Sequence, residues 1–171
     1  MVVAFPATQR QTRPMETGRR AATPIAFIRT VILAYRRRGK DPSDALQRAQ
    51  IAPALLDQID GRITARQMEL FCEAAMRELD DEALGWFGRR LPWGSYGMLC
   101  RASLGSPTLG VALKRWCRHH RLLVDDVLLQ LHEAGGRAGL EISEPSPLDP
   151  RMRDFCLLTL LRYVHGYACW L

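Results

Sequence analysis

No stretch of this sequence is apolar for long enough to read as a membrane span or a secretory leader. The first apolar run, Val2 to Phe5, is far shorter than a signal-peptide core, and the strongly apolar segment 155–171 is interrupted by Arg162 and His165. Cysteine is sparse: Cys72, Cys100, Cys117, Cys156 and Cys169 make five, an odd number with no Cys-x-x-Cys pair, which reads as a reduced, cytoplasmic protein. No Gly-rich phosphate loop stands between strand and helix, and Gly-x-Ser-x-Gly, His-Glu-x-x-His and paired catalytic carboxylates are absent. Gly94-Ser95-Tyr96-Gly97 has a serine between glycines, but no apolar strand precedes it, so it reads as a turn and not as a nucleophile elbow. With no nucleophile, base and orienting group to assemble, the chain is not expected to be an enzyme.

What is present suits one ordinary globule: 171 residues, 47% hydrophobic and 25% charged. The net charge of +6 raises the question of nucleic acid. Its distribution argues against direct contact. Arg10, Arg13, Arg19 and Arg20 against Glu16 put half of it in the first 23 residues, and Arg36, Arg37, Arg38 and Lys40 close a helix, where cations complement the negative helix end. No basic stripe continues from there.

Residues 1–22 have no period and read as a disordered leader, leaving 23–171 as the folded domain. Thr23-Pro24 predicts a helix start, with Ile25, Ile28, Ile32 and Tyr35 on one face until Gly39. Asp41-Pro42 opens a short helix to about Gln50, and Pro53 another through Leu55, Leu56 and Ile59 to Gly61. Thr64-Ala-Arg-Gln67 is a capping box for a helix to about Leu79. A shorter helix is expected over 82–90, then a glycine-punctuated stretch from Trp93 to Gly97. Ser106-Pro107 starts a helix carrying Leu109, Leu113, Trp116, His120 and Leu123 on its apolar side. Alternation in Val127–His132 and in Ala138–Ile142 about Ala134-Gly-Gly-Arg137 predicts a half-buried β-hairpin, and Asp149-Pro150 caps a final apolar helix. The fold class is α+β, mostly helical, with the hairpin part of a small antiparallel sheet.

The candidate binding residues are Trp93, Tyr96, Trp116, His120 and Arg162: aromatics to supply apolar area, His120 or Arg162 to meet an acidic group. Arg162, in an otherwise apolar helix, either pairs with Asp154 or Glu141, reaches solvent along its stem, or receives an anion. Trp86, Phe87, Trp93 and Tyr96 crowd one window and serve either a pocket or the core. Cys117, His119 and His120 lie close in sequence, but adjacent histidines diverge by about 100° on a helix, so no metal site is expected. No cofactor is expected either, although His120 or His165 leaves a haem sensor as a rival.

Leu84-Gly85, Gly94-Ser-Tyr-Gly-Met-Leu99, Ser106-Pro-Thr-Leu-Gly-Val-Ala-Leu113 and His120-Arg-Leu-Leu123, with Ala52-Pro-Ala-Leu-Leu56 and Ile63 upstream, resemble the N-terminal effector-binding domain of AraC-type bacterial transcription regulators, the arabinose-binding-like subgroup. The resemblance covers about residues 24–171. It implies a sensory domain that binds a small organic effector, forms a homodimer, and contacts DNA only through a C-terminal helix-turn-helix domain absent from these residues. It also implies further strands beyond the hairpin, without which a strand edge is left open to self-association. A ligand-free dimerisation module is the alternative. The aromatic Trp86, Phe87 and Trp93 neighbourhood departs from the more aliphatic pattern expected of such domains.

Overall fold

A computed structural model describes residues 21–171, so the expected leader lies almost wholly outside the described residues. The fold is mostly helical with two small antiparallel two-stranded sheets. It divides into two compact units, one ending at Ala75 and the other Met76–Leu171.

In the first unit, strand β1 (Thr23–Pro24) leads into helix α1 (Ala26–Arg37), α2 (Ser43–Arg48) and a 3₁₀ turn over Pro53–Asp57. Strand β2 (Arg62–Ile63) pairs with β1, and α3 (Ala65–Leu79) follows. The expected Thr23 cap does not form. Thr23 lies opposite Ile63, and the Ile25 amide donates to the Gly61 carbonyl at 2.8 Å, so strand pairing holds these residues and the helix begins at Ala26. The helical period survives: Ile25, Ile28, Ile32 and Tyr35 are all buried, each contributing about 1.5–3 kcal/mol as a buried apolar side chain. Gly39, at φ 59°, ends the helix as expected. The segment after Pro53 is a single tight turn and leaves Ile59 exposed, whereas a longer helix was expected. Arg29 holds that turn through its guanidinium, with Nε donating to the Leu56 carbonyl at 2.6 Å.

A side chain at Gly61 would put Cβ 2.9 Å from Ile25 Cγ2 and 3.1 Å from the Gln58 and Leu55 carbonyls. Only glycine lets the two strands meet there. The capping box forms as written in the sequence: the Gln67 amide donates to Thr64 Oγ1 at 3.1 Å, and the Thr64 amide to Gln67 Oε1 at 3.0 Å.

In the second unit, residues 82–90 form turns and not the expected helix. Asp81 accounts for this, because its carboxylate accepts from the amides of Ala83, Gly85 and Leu91 at 3.0–3.1 Å. Those bonds compete with helical ones, and Leu84 and Gly85 at φ 51° and 78° break the helical path. The glycine-punctuated stretch becomes a helix, α4 (Ser95–Ser103), entered through Gly94 at φ 100°. Its period was present in Tyr96, Leu99, Cys100 and Ser103, all buried.

Helix α5 (Leu109–Leu123) is capped by Thr108, whose Oγ1 accepts from the Val111 amide at 3.2 Å, two residues on from the expected Ser106 start. It packs against α4 and against strand β3 (Leu128–Ala134), which pairs with β4 (Arg137–Ser143) in the hairpin. Leu129 opposite Ile142 and Leu131 opposite Leu140 form the hairpin's sheltered face, while its tip is exposed. Lys114 on α5 pairs with Glu133 on β3 at 3.1 Å. Asp149 caps α6 (Pro150–Trp170) by accepting from the Arg151 amide at 2.8 Å, as the sequence predicts.

Candidate functional site

The second unit gathers most of its aromatic side chains into one connected cluster. Turn residues supply Trp86 and Phe87, α4 supplies Tyr96, α5 supplies Trp116 and His120 one helical turn apart, and α6 supplies Phe155 and Tyr163. Trp86 meets Phe155 edge-on at 5.4 Å between ring centroids and Phe87 at 6.2 Å. Phe87 meets His120 at 6.2 Å. His120 stacks on Trp116 at 5.5 Å with 21° between planes, Trp116 stacks with Tyr96 at 6.3 Å, and Tyr96 meets Tyr163 edge-on at 4.8 Å. Such pairs each add about 0.5–1.5 kcal/mol beyond the area they bury.

Within this apolar cluster lie polar atoms with nothing to bond. Tyr96 Oη, His120 Nε2 and Trp86 Nε1 are buried and have no hydrogen-bond partner. A buried polar group left so costs about 1–3 kcal/mol. Burial pushes the His120 imidazole down to about 4, so it is neutral at physiological pH. It pushes the Tyr96 phenol well above its ordinary value, with Tyr163, Cys156, Glu82 and Asp81 adding to the effect. The phenol and the imidazole are therefore both uncharged.

Two buried carboxylates adjoin the cluster. Glu82 accepts from the amides of Gly94 at 2.8 Å and Tyr96 at 2.7 Å, which satisfies open donors at the start of α4 and fixes where Tyr96 stands. Asp81 organises the preceding turns as described. Burial holds three neighbouring thiols in the protonated form, raising Cys117 to about 11 and Cys156 to about 12 and raising Cys100 as well.

Of the five residues chosen from the sequence, the fold brings Tyr96, Trp116 and His120 together. Trp93 stands outside the ring cluster, 38% exposed, with the Arg77 guanidinium 4.2 Å above its ring. Arg162 is exposed on α6 and does not pair with Asp154 or Glu141, whose ion-pair partners are Arg153 and His132. Phe155 and Tyr163 were not singled out, nor were Asp81 and Glu82. For the acids a signal existed: adjacent carboxylates ahead of Leu84-Gly85 suit a turn closed by side-chain bonds better than a helix.

Residues 39–171 match the family described as the arabinose-binding domain of AraC transcription regulator, N-term. This chain belongs to that family. The family is one of transcription-regulator domains and not an enzyme family. A curated relative, the ornithine utilization regulator of Pseudomonas aeruginosa, is 27% identical over 149 residues, 86% of this chain. The chain spans 44% of that regulator's length. No helix among the described residues of this AraC-type domain is long and apolar enough to cross a membrane.

Proposed function

We propose that the AraC-type domain, residues 23–171, senses a small organic effector and thereby controls an attached DNA-binding domain of helix-turn-helix type, in the bacterial cytoplasm. The reading rests above all on the Tyr96–Trp116–His120 cluster, where stacked rings enclose Tyr96 Oη and His120 Nε2 without partners. An effector that bonds these atoms stabilises the arrangement of α4, α5 and α6 around it, and a conformation preferred on binding is what a regulator transmits. DNA is contacted through the attached domain and not through these residues. The domain acts as a homodimer, a reading supported by Leu158 and Leu161, exposed on α6 one turn apart.

Ornithine, named for the Pseudomonas relative, belongs first in the screen, with other amino acids, hydroxy acids and fatty acids beside it. Thermal-shift measurements on the chain and on variants at Trp93, Tyr96, Trp116, His120 and Arg162 test the site. Stabilisation by a compound that is lost on changing Tyr96, Trp116 or His120 supports it. Stabilisation indifferent to all five residues rejects it.

A further inference from the structure

Helix α6 carries its buried residues, Met152, Phe155, Cys156, Leu160, Val164 and Tyr167, along one side. The side turned away from them exposes Leu158, Leu161, His165 and Cys169. At about 100° per residue these four fall within about 80° of the helix circumference, a stripe along which two helices can pair. Asp154 ends the apolar stripe one heptad before Leu161, and Arg162 flanks it with its charge in water.

The last turn of the stripe holds two metal-ligating side chains. Cys169 Sγ lies 3.6 Å from His165 Nε2 and 4.0 Å from Nδ1. In a tetrahedral zinc site, a Zn–S bond of about 2.3 Å and a Zn–N bond of about 2.0–2.1 Å put sulfur and nitrogen about 3.5–3.6 Å apart. The pair therefore already stands at the separation of one edge of such a site, on the surface, where an ion arrives without needing a cavity. It supplies two ligands, and structural zinc takes four. Among the described residues of one chain, no three His, Cys, Asp or Glu side chains come together to hold a metal. A second copy laid parallel along α6 sets Leu158 and Leu161 against their own counterparts and brings another His165 and Cys169 to the same level. Twofold symmetry then makes two cysteines and two histidines.

We propose that His165 and Cys169 are half of a zinc site that a second copy of this chain completes along α6. The proposal rests on the homodimer reading above and adds the ligands that hold the dimer. Each Cys169 thiol releases its proton to solvent as it binds the ion. The test is sedimentation velocity of the chain, kept reduced, after chelator treatment and again with zinc chloride, with bound metal measured in each species. One zinc per two chains is expected, and zinc moves the monomer–dimer equilibrium at least about tenfold toward dimer. His165→Ala and Cys169→Ser, both at exposed positions, each weaken zinc binding by more than the about 10–100-fold that losing an outer-shell partner costs. Cobalt(II) in place of zinc gives a thiolate-to-metal charge-transfer band, absent from Cys169→Ser. A dimer that persists without metal and binds no zinc overturns the site and keeps the homodimer, leaving the pair a hydrogen bond only. A monomer at every zinc concentration overturns both. One zinc per chain, or binding that survives both substitutions, overturns the shared site.

Discussion

Replacing Tyr96 by phenylalanine is expected to stabilise the protein when no effector is present. The hydroxyl is buried and has no partner, and such a group costs about 1–3 kcal/mol against an apolar neighbour of the same shape. Phenylalanine keeps the stacking with Trp116 at 6.3 Å and the edge contact with Tyr163 at 4.8 Å. The second unit should therefore gain about 1–3 kcal/mol, which raises its urea midpoint by roughly 0.5–1.5 M at an unchanged slope of about 2 kcal/mol/M. Tryptophan fluorescence is the assay, because all 4 tryptophans, Trp86, Trp93, Trp116 and Trp170, lie in that unit. A lower midpoint refutes the reasoning, since it means the hydroxyl makes a bond in solution and its position is structural. The expected pairing of higher stability with weaker effector binding is the trade that a site held unsatisfied for its ligand makes.

Three further outcomes follow from the same geometry. His120 titrates near 4 in the folded chain against an ordinary 6.5, so the unfolded chain takes up its proton first as pH falls. Stability is complete above about pH 6.5 and declines by about 3 kcal/mol down to about pH 4; His120→Gln flattens that decline in urea titrations repeated across the range, and an unchanged slope with pH contradicts it. Glu82→Gln removes the charge and one acceptor from the start of α4 and should cost about 1.5–3 kcal/mol, read as a lower fluorescence midpoint. Gly61→Ala pushes a methyl against Ile25 and two carbonyls and should lower stability by about 1–3 kcal/mol in melts followed by far-UV circular dichroism. An unchanged melt would mean that the strand pair gives way at no cost.

Features that a few neighbouring residues decide were legible in the sequence. The Thr64–Gln67 box, the Asp149 cap, the hairpin turn, the apolar face of α1 and the Leu113, Trp116 and His120 part of the α5 face each follow from local chemistry, and the structure has them, although Leu109 at the start of α5 is exposed. The failures share a cause, which is competition from a partner distant in sequence or from a side chain. Thr23–Pro24 pairs with residues forty positions on, so its helix-start signal loses to β2. Residues 82–90 lose their helix to the Asp81 carboxylate. Trp116 and His120 were found because they share an apolar face that includes a polar ring, and Tyr96 joined them through the aromatic window. The sequence left Arg162 between an ion pair, solvent and an anion because a helix apolar over most of its circumference does not say which side meets solvent; its exposure depends on where α6 lies. The buried carboxylates were missed because their amide partners belong to turns that no periodicity reveals.

Nitrogen chemical shifts of the His120 imidazole, followed in histidine-labelled protein during a titration with a compound that stabilises the chain in the thermal-shift screen, test the central claim most directly. Binding at the cluster is expected to move the Nε2 resonance as it gains a hydrogen-bond partner, saturating over the concentrations at which the melting temperature levels off, while the Trp116 indole proton shifts in step. Saturable binding that leaves both the His120 Nε2 and the Trp116 indole resonances where they were would contradict it.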